Sequence, residues 1–175
     1  MQQARAVVRL PRPAARPAQP GARPAMRIRR VQAGDMPHVV ALDRRVTGLA
    51  KKGYWADLFT LYGKARGAHR FFLVARSAAA RQDAPVLGFI IGEVRAWEFG
   101  SAPCGWVFGL SVDPDARLAG VGRAMFAAIA AEFRRAGVKR IRTMVARDDL
   151  LTLRFFRSEG MIAGPYLQLE MELDE

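Results

Sequence analysis

The chain has 175 residues, of which 51% are hydrophobic, and its 28 lysines and arginines against 16 acidic residues give a formal charge of +12. This length predicts one domain with a packed core, and no apolar run approaches the roughly 18 residues of a membrane-spanning helix. The single cysteine, Cys104, excludes an intrachain disulfide, and neither it nor the two histidines have the spacing of metal ligands.

Residues 1–25 differ in composition from the rest of the chain. They hold five arginines, five prolines and no acidic residue, which predicts a disordered or extended segment. This segment is either an unstructured extension, which we favour, or a basic arm for nucleic acid or a transit-like leader. A domain is expected over residues 26–175, whose 23 basic and 16 acidic residues favour polyanionic partners, including phosphate-bearing cofactors.

The first half of this domain predicts a strand, a helical pair and then further strands. A strand is expected over residues 26–31, followed by a helix capped by Asp35 with Pro37 in its first turn. A second helical piece is expected over residues 54–64. Three strands follow, over residues 71–75, 86–95 and 104–112.

The second half predicts two helices and two strands. A helix is expected over residues 123–136, then a strand over 139–145, a helix that closes at Gly160, and a last strand over 166–173. This order of elements indicates an α+β or α/β domain with a central sheet.

The most informative stretch is DPDARLAGVGR, residues 113–123, between an expected strand and an expected helix. The first N–H groups of a helix lack intrahelical partners, and the helix dipole adds partial positive charge. Gly120 and Gly122 let a phosphate approach the backbone, and Arg117 and Arg123 add charge. The stretch predicts a pyrophosphate-binding turn, or else a loop whose glycines serve tight packing. It matches neither a P-loop nor a complete dinucleotide fingerprint.

Two signatures resemble those of the GNAT acetyltransferase superfamily. RLAGVG, residues 117–122, matches Arg/Gln-x-x-Gly-x-Gly/Ala, and DLLTLRFFRSEGM, residues 149–161, resembles Asn-x-x-Ala-x-x-Phe-Tyr-x-x-x-Gly-Phe. The first signature is flanked by LSVDP, residues 110–114, similar to the end of the family's fourth strand, and by GRAM, residues 122–125, similar to the start of its third helix. The resemblance covers about residues 26–175.

This resemblance implies a GNAT fold of the α+β (α/β) class. Such a fold has a mixed, mostly antiparallel sheet of six or seven strands, flanked by about four helices and splayed between strands 4 and 5. It also implies acetyl-CoA or another acyl-CoA as co-substrate, without a metal, with the pantetheine arm along the fourth strand and the pyrophosphate on the Gly-x-Gly turn. The residues implied in cofactor binding are Leu110, Ser111, Val112, Arg117, Leu118, Ala119, Gly120, Val121, Gly122, Arg123, Asp149 and Phe156.

Several positions depart from the second signature. Phe156 stands where the family usually has a tyrosine near the CoA sulfur, and it cannot donate a proton, so another group donates or the thiolate leaves unassisted. Asp149, or Asp148 beside it, stands at the usual asparagine and lacks its N–H donors, which suits a helix cap or an amine ligand. Thr152 replaces a small alanine.

A general base for amine attack on the thioester is not evident in the fourth strand, where residues 104–107 lack the carboxylate that some family members carry. Glu93, on the preceding strand, is the candidate, acting directly or through a water. Its alternative role is a surface or salt-bridging glutamate. Glu98 and Asp113 are weaker candidates.

Other side chains keep two interpretations each. Cys104 is expected to be buried and inert rather than nucleophilic. Trp97 and Phe99 either pack in the core or line an acceptor pocket. Residues 51–55 form either a solvated loop or part of the acceptor site.

Together these features predict an N-acetyltransferase that moves an acetyl group from acetyl-CoA to a primary amine, of a small molecule or a protein, by direct attack in a ternary complex. The alternatives are an acyl-CoA-binding sensor or pseudoenzyme without turnover, and a nucleic-acid binder, against which the body offers no nucleic-acid motif. An exposed last strand would allow a homodimer. The lack of secretory and membrane signals favours the cytoplasm.

Overall fold

The structure, a computed structural model of the chain, describes residues 25–64, 67–79, 81 and 84–173. Its described part holds one sheet of five strands in the order β1-β2-β3-β4-β5. Neighbouring strands run antiparallel up to β4, whereas β5 runs parallel to β4. The strands are β1 (Met26–Arg30), β2 (Arg70–Ser77), β3 (Gly88–Arg95), β4 (Cys104–Val112) and β5 (Ile141–Thr143).

Four α-helices accompany the sheet: α1 (Met36–Thr47), α2 (Lys52–Leu58), α3 (Val121–Arg135) and α4 (Leu150–Ser158). A π-helical segment, Phe59–Lys64, continues α2, and short 3₁₀ turns occupy Ala33–Asp35, Glu98–Gly100 and Pro114–Ala119. Within the described ranges no helix has the length and apolarity needed to cross a membrane.

The sheet is buried on both faces. Along β2, Phe71 and Leu73 pack in a core with α3, while Phe72 and Val74 pack in a second core with α1 and α2. Because successive side chains of a strand point to opposite faces, a strand buried on both sides needs an uninterrupted apolar run. The sequence FFLVA at residues 71–75 has this pattern.

Helix α3 lies close to the sheet because glycines face it. A Cβ atom added at Gly105 would lie 2.4 Å from the Phe133 ring, and one at Gly92 would lie 2.9 Å from the same ring. Phe133 is 1% exposed. Larger residues at these two positions would therefore push α3 away from β3 and β4, at the point where the two strands support the helix.

A buried carboxylate joins β1 and β2 next to the start of α1. Asp35 is 1% exposed and accepts hydrogen bonds from Arg29 of β1 at 2.6 and 2.9 Å and from Arg76 Nε of β2 at 2.9 Å. It also accepts from the Gln32 backbone N–H at 2.7 Å. The prediction that Asp35 caps the first helix is wrong in its chemistry, because the carboxylate bonds these groups and not the first amides of α1.

The mixed sheet with flanking helices confirms the predicted fold class, although the described residues hold five strands and not six or seven. The predicted last strand is absent. Residues 166–173 alternate apolar and polar side chains, but Leu167, Leu169, Met171 and Leu173 are each at least 80% exposed. The neighbouring β5 has only three residues, so it offers no continuous ladder for this segment.

Other predicted bounds shift by a few residues. The predicted helix over 54–64 is α2 plus the π-helical segment, and the predicted strand over 139–145 is reduced to β5. The predicted extension over residues 1–25 lies outside the described residues, apart from its last residue.

Candidate functional site

A cleft of about 450 Å³ opens between β4, the N-terminal end of α3 and one face of α4. Strand β4 contributes Leu110, Ser111 and Val112. The turn before α3 and its first residues contribute Arg117, Gly120, Gly122 and Arg123, and the helices α1 and α4 contribute Val46, Leu151, Thr152, Phe155, Ser158 and Glu159. The structure thus brings together the two segments, 110–112 and 117–123, that the sequence predicted as cofactor-binding.

The cleft exists because β4 and β5 separate. They pair only over Gly105–Val107 of β4, and the register between β3 and β4 shifts at Phe108, which forms a β-bulge. Beyond the bulge no described strand pairs with the outer edge of β4. An open edge of this kind can bind an extended ligand through main-chain hydrogen bonds, as an added strand would.

The Gly-x-Gly turn lies at the end of that open edge and has the features that suit an anion. Gly120 has a φ of +77° and immediately precedes α3, so a left-handed residue sets the direction in which the helix begins. The first amides of α3 lack intrahelical acceptors, and the helix dipole makes this end positive. Arg117 and Arg123 line the same cleft, while Val121 between the glycines is fully buried in the core. Ala119 packs against that core as well, and Leu118 lies in the same 3₁₀ turn.

Arg45 of α1 holds the turn in place. Its guanidinium donates to Asp113 at 2.8 Å and to Asp115 at 3.0 Å. The Asp113 carboxylate also accepts from the Asp115 N–H at 3.0 Å, which closes the turn. Both carboxylates are therefore paired with a cation on α1. No local sequence pattern indicates this contact, since Arg45 lies 68 residues before Asp113.

A second ion pair lies inside the cleft. Arg123 Nε is 3.0 Å from the Glu159 carboxylate, which is 12% exposed. The pair joins the first turn of α3 to the end of α4. Arg117 and Arg123 together outweigh Glu159, so the charge of these lining side chains is positive and suits an anion.

Asp149 and Phe156 of the second signature lie outside the cleft lining, and the predicted helix cap at Asp149 is confirmed. Asp149 does not line the cleft, but its carboxylate accepts from the Thr152 N–H at 3.0 Å and caps α4. Hydrogen bonds from the Thr152 side chain and backbone hold the pKa of Asp149 below its usual value. Phe156 is 6% exposed and packs on Phe126 and Phe155, so the ring that lines the cleft is Phe155.

We expect Asp149→Ala to lower the free energy of unfolding by about 1 kcal/mol, because it removes the side-chain acceptor at the start of α4. Asp149→Asn should retain most of that stability, since an amide oxygen still accepts from Thr152. Urea denaturation measures both, with Asp148→Ala as the neighbouring control. Equal losses for Asp148→Ala and Asp149→Ala would contradict the assignment of the cap.

The candidate base, Glu93, lies outside this cleft lining, on the face of β3 that carries α1 and α2. It stands opposite Trp106 of β4, two residues before the bulge. Its carboxylate accepts from the Tyr62 hydroxyl at 2.6 Å and from Arg95 Nε at 2.9 Å. Glu93 is therefore a salt-bridged glutamate, and 20% of its side chain remains exposed. Among the weaker candidates, Glu98 lies 3.8 Å from Arg95.

The other side chains with two predicted roles differ in their exposure to solvent. Cys104 is 1% exposed at the start of β4. Trp97 and Phe99 are 72% and 106% exposed, so core packing is excluded for both. Both also have positive φ, at 62° and 45°, which is unusual for aromatic residues. Residues 52–55 lie in α2 and not in a loop; residues 52–54 are exposed, and Trp55 is buried.

No group of three or more His, Cys, Asp or Glu side chains is placed to bind a metal ion within the described ranges. A cleft with an open strand edge, a Gly-x-Gly turn and arginines is suited instead to a long ligand that carries phosphate at one end.

Comparisons with known proteins agree with this geometry. Residues 39–161 match the acetyltransferase (GNAT) family. No curated protein sequence matches the chain significantly.

Among solved structures, the chain resembles the aminoglycoside N-acetyltransferase AAC(6')-Iy bound to the bisubstrate analogue CoA-S-monomethyl-acetylneamine, with a TM-score of 0.71 and 16% identity over 85% of this chain and 99% of that one. It also resembles the aminoglycoside 6'-N-acetyltransferase AAC(6')-Ih from Acinetobacter baumannii, with a TM-score of 0.70 and 14% identity over 86% of this chain and 100% of that one. A third similar structure is Ard1 from Thermoplasma volcanium, with a TM-score of 0.63 and 22% identity over 79% of this chain and 83% of that one.

At these identities the structural likeness shows the fold, whereas the sequence match extends over more than half of the chain. The chain belongs to the GNAT acetyltransferase family and is an acyltransferase of that family.

Proposed function

We propose that this protein transfers an acetyl group from acetyl-CoA to a primary amine, by direct attack of the amine in a ternary complex. The observation that carries the proposal is the continuity of the cleft. The open edge of β4 beyond Phe108 leads directly to the Gly120–Gly122 turn at the start of α3.

The two parts of the cleft suit the two parts of coenzyme A. Main-chain groups of Leu110, Ser111 and Val112 would bind the extended pantetheine arm. The first amides of α3, with Arg117 and Arg123, would bind the pyrophosphate. Support from relatives is the CoA-containing analogue in the AAC(6')-Iy structure.

When bound, acetyl-CoA supplies a thioester whose carbonyl carbon accepts the amine nitrogen and whose C–S bond breaks to release a thiolate. A backbone N–H of β4 near the bulge would stabilise the oxygen on which negative charge develops. Glu93 would accept the proton that the ammonium must lose, directly or through a water. Since Phe156 is buried and has no hydroxyl, the thiolate would leave without a proton from this position.

The acceptor would lie on the side of the sheet that carries α1 and α2, where Glu93 is found. The exposed rings of Trp97 and Phe99 follow β3 on the loop beside it and would contact the acceptor. We place the acceptor in the class of small-molecule or protein amines. Acetyl-CoA is made inside cells, so we place the protein in the cytoplasm.

Two further assignments complete the proposal. The catalytic domain would span residues 26–175, with residues 1–25 as an extension. The exposed apolar side chains of residues 167–173 would favour a homodimer in which this segment is covered.

The test combines calorimetry with an acetyl-transfer assay. We expect acetyl-CoA to bind at a single site, and S-acetylpantetheine, which lacks the pyrophosphate, to bind at least about 100-fold more weakly, because it forfeits charge-assisted hydrogen bonds. A panel of aminoglycosides, polyamines and peptide N-termini, analysed by mass spectrometry, should reveal an acetylated product. Binding without transfer to any amine would favour the second candidate function, an acyl-CoA sensor. The observation that supports this candidate is the burial of Phe156, which has no hydroxyl to protonate the thiolate. Absence of acetyl-CoA binding by the folded protein would overturn the proposal.

A further inference from the structure

Tyr62 makes a short hydrogen bond that no part of the cofactor cleft requires. It belongs to the π-helical segment Phe59–Lys64, and its hydroxyl donates to Glu93 Oε2 at 2.6 Å. π-Helical turns are rare and concentrate at functional sites, because they hold a residue in a position that a regular helix would not give it. Here the Tyr62 hydroxyl reaches Glu93, the candidate base.

The Tyr62 ring is fixed by the strand that shapes the reaction centre. It packs edge-on against Phe108, with ring centroids 5.3 Å apart and an interplanar angle of 65°. Phe108 is the bulge residue of β4, after which β4 and β5 no longer pair. The Arg70 guanidinium lies 5.6 Å from the ring centroid on another side. Tyr62 therefore links the Glu93 carboxylate to the bulge at which the cleft begins.

The other oxygen of Glu93 is held as well. Arg95 Nε donates to Oε1 at 2.9 Å, and its guanidinium stacks 4.5 Å from the Trp106 ring centroid. With one donor on each oxygen, the plane of the carboxylate is defined on both sides.

The Tyr62 hydroxyl keeps its proton near neutral pH. Burial of the phenol, followed by the hydrogen bond to Glu93, raises the pKa of Tyr62 to about 12. At neutral and mildly alkaline pH the hydroxyl is therefore a donor to Glu93 and not a competing base. Around Glu93 the charged and titratable neighbours are Tyr62 from the π-helical segment, Arg70 from β2, Arg95 from β3 and Glu98 from the following turn.

We propose that Tyr62 is a positioning residue, which orients the Glu93 carboxylate as the general base of acetyl transfer. This inference rests on the proposed function. It gives a role in the reaction to Tyr62, a residue that lies outside the cofactor cleft.

The decisive variant is Tyr62→Phe, which removes one donor and keeps the ring against Phe108. Loss of this hydrogen bond leaves one oxygen of Glu93 without its donor, so the carboxylate is no longer held in one orientation for proton transfer. The KM for the acceptor amine should stay unchanged, because the variant removes no group proposed to bind the amine. We expect kcat for the acceptor amine to fall about 10-fold near neutral pH. The affinity for acetyl-CoA should not change, because Tyr62 does not line the cleft.

Tyr166→Phe is the matched control. Tyr166 follows α4, and its ring centroid lies 4.4 Å from the Arg142 guanidinium, so its partner is not Glu93. The variant should leave kcat and KM unchanged. A Tyr62→Phe enzyme with the wild-type kcat would overturn the inference while leaving the acetyltransferase function intact.

Glu93→Gln separates the remaining outcomes. If the wild-type protein transfers acetyl groups and Glu93→Gln is equally fast, Glu93 is not the base, and the role of Tyr62 is wrong with it. If the wild-type protein binds acetyl-CoA and acetylates no amine, the proposed function itself is wrong, and the inference that rests on it is overturned. A loss of at least about 100-fold in Glu93→Gln, together with the lower kcat and unchanged KM in Tyr62→Phe, would support both.

Discussion

Replacing Asp35 by alanine is expected to lower the free energy of unfolding by about 3–5 kcal/mol, a large fraction of the total stability of a domain of this size. The carboxylate is 1% exposed, and it is the acceptor for Arg29 of β1, Arg76 of β2 and the Gln32 amide. Without it, two guanidinium groups keep their charge next to the core and lose their common partner. Urea denaturation at pH 7 measures the loss.

The same residue predicts a dependence of stability on pH. Burial alone would raise the pKa of Asp35, but the hydrogen bonds from Arg29, Gln32 and Arg76 outweigh burial and lower it below its usual value of 3.8. Since the folded-state pKa is the lower one, the stabilisation is fully present above about pH 4 and is lost as the pH falls through that folded-state pKa. The difference between wild type and Asp35→Ala should therefore narrow in strongly acidic solution.

The matched control is Asp115→Ala. Asp115 also pairs with an arginine, at 3.0 Å, but its side chain is 82% exposed. Water and salt screen such a pair, so we expect a loss below about 1 kcal/mol. If both variants lost equal stability, or if the Asp35 effect did not depend on pH, the buried pair would not be the cause.

The role of Asp35 could not be predicted from the residues around it in the sequence. A lone aspartate before an apolar helical pattern predicts an N-cap, and the residue does stand immediately before α1. Its role depends on Arg76, which lies 41 residues further along the chain. No local pattern contains this pairing, because it arises only when β1 and β2 become neighbours in the sheet.

The Gly-x-Gly turn could be predicted because its physics is local. The two glycines, the preceding strand and the following helix lie within one continuous stretch, and their order alone creates the unpaired amides. Strands β2 and β3 were predictable for a similar reason, because residues 71–75 and 88–95 have the apolar pattern of buried strands within their own sequence.

Elsewhere the outcome depended on packing between distant elements. Phe155 and Phe156 are adjacent and chemically identical, and only the rotation of α4 against Phe126 decides which of them lines the cleft. Residues 166–173 have the alternation of a strand, but a strand also needs a neighbour, and β5 is too short to provide one. Tyr62 lies 31 residues from Glu93, and nothing in the sequence indicates that they meet.

Replacing Gly120 by glutamate is expected to weaken acetyl-CoA binding by about 100-fold. No atom would lie within 4 Å of an added Cβ, so the substitution is resisted only by the φ of +77°. A carboxylate at the start of α3 is stabilised by the amides and dipole that we assign to the pyrophosphate. The variant should therefore fold, and its own negative charge should compete with the ligand for the site.

Two variants separate charge from backbone strain in this experiment. Gly120→Gln has nearly the same shape without the charge, and we expect its affinity for acetyl-CoA to fall by no more than about 10-fold, because its side chain adds bulk beside the ligand but no repulsion. The left-handed strain of about 1–2 kcal/mol lowers the stability of both variants alike. Gly137→Glu places the same side chain at the opposite end of α3, where φ is +80° and the surroundings are also open. Its affinity should equal that of the wild type. Equal losses in Gly120→Glu and Gly120→Gln would show that geometry and not charge governs the turn, and wild-type affinity in Gly120→Glu would mean that the pyrophosphate binds elsewhere.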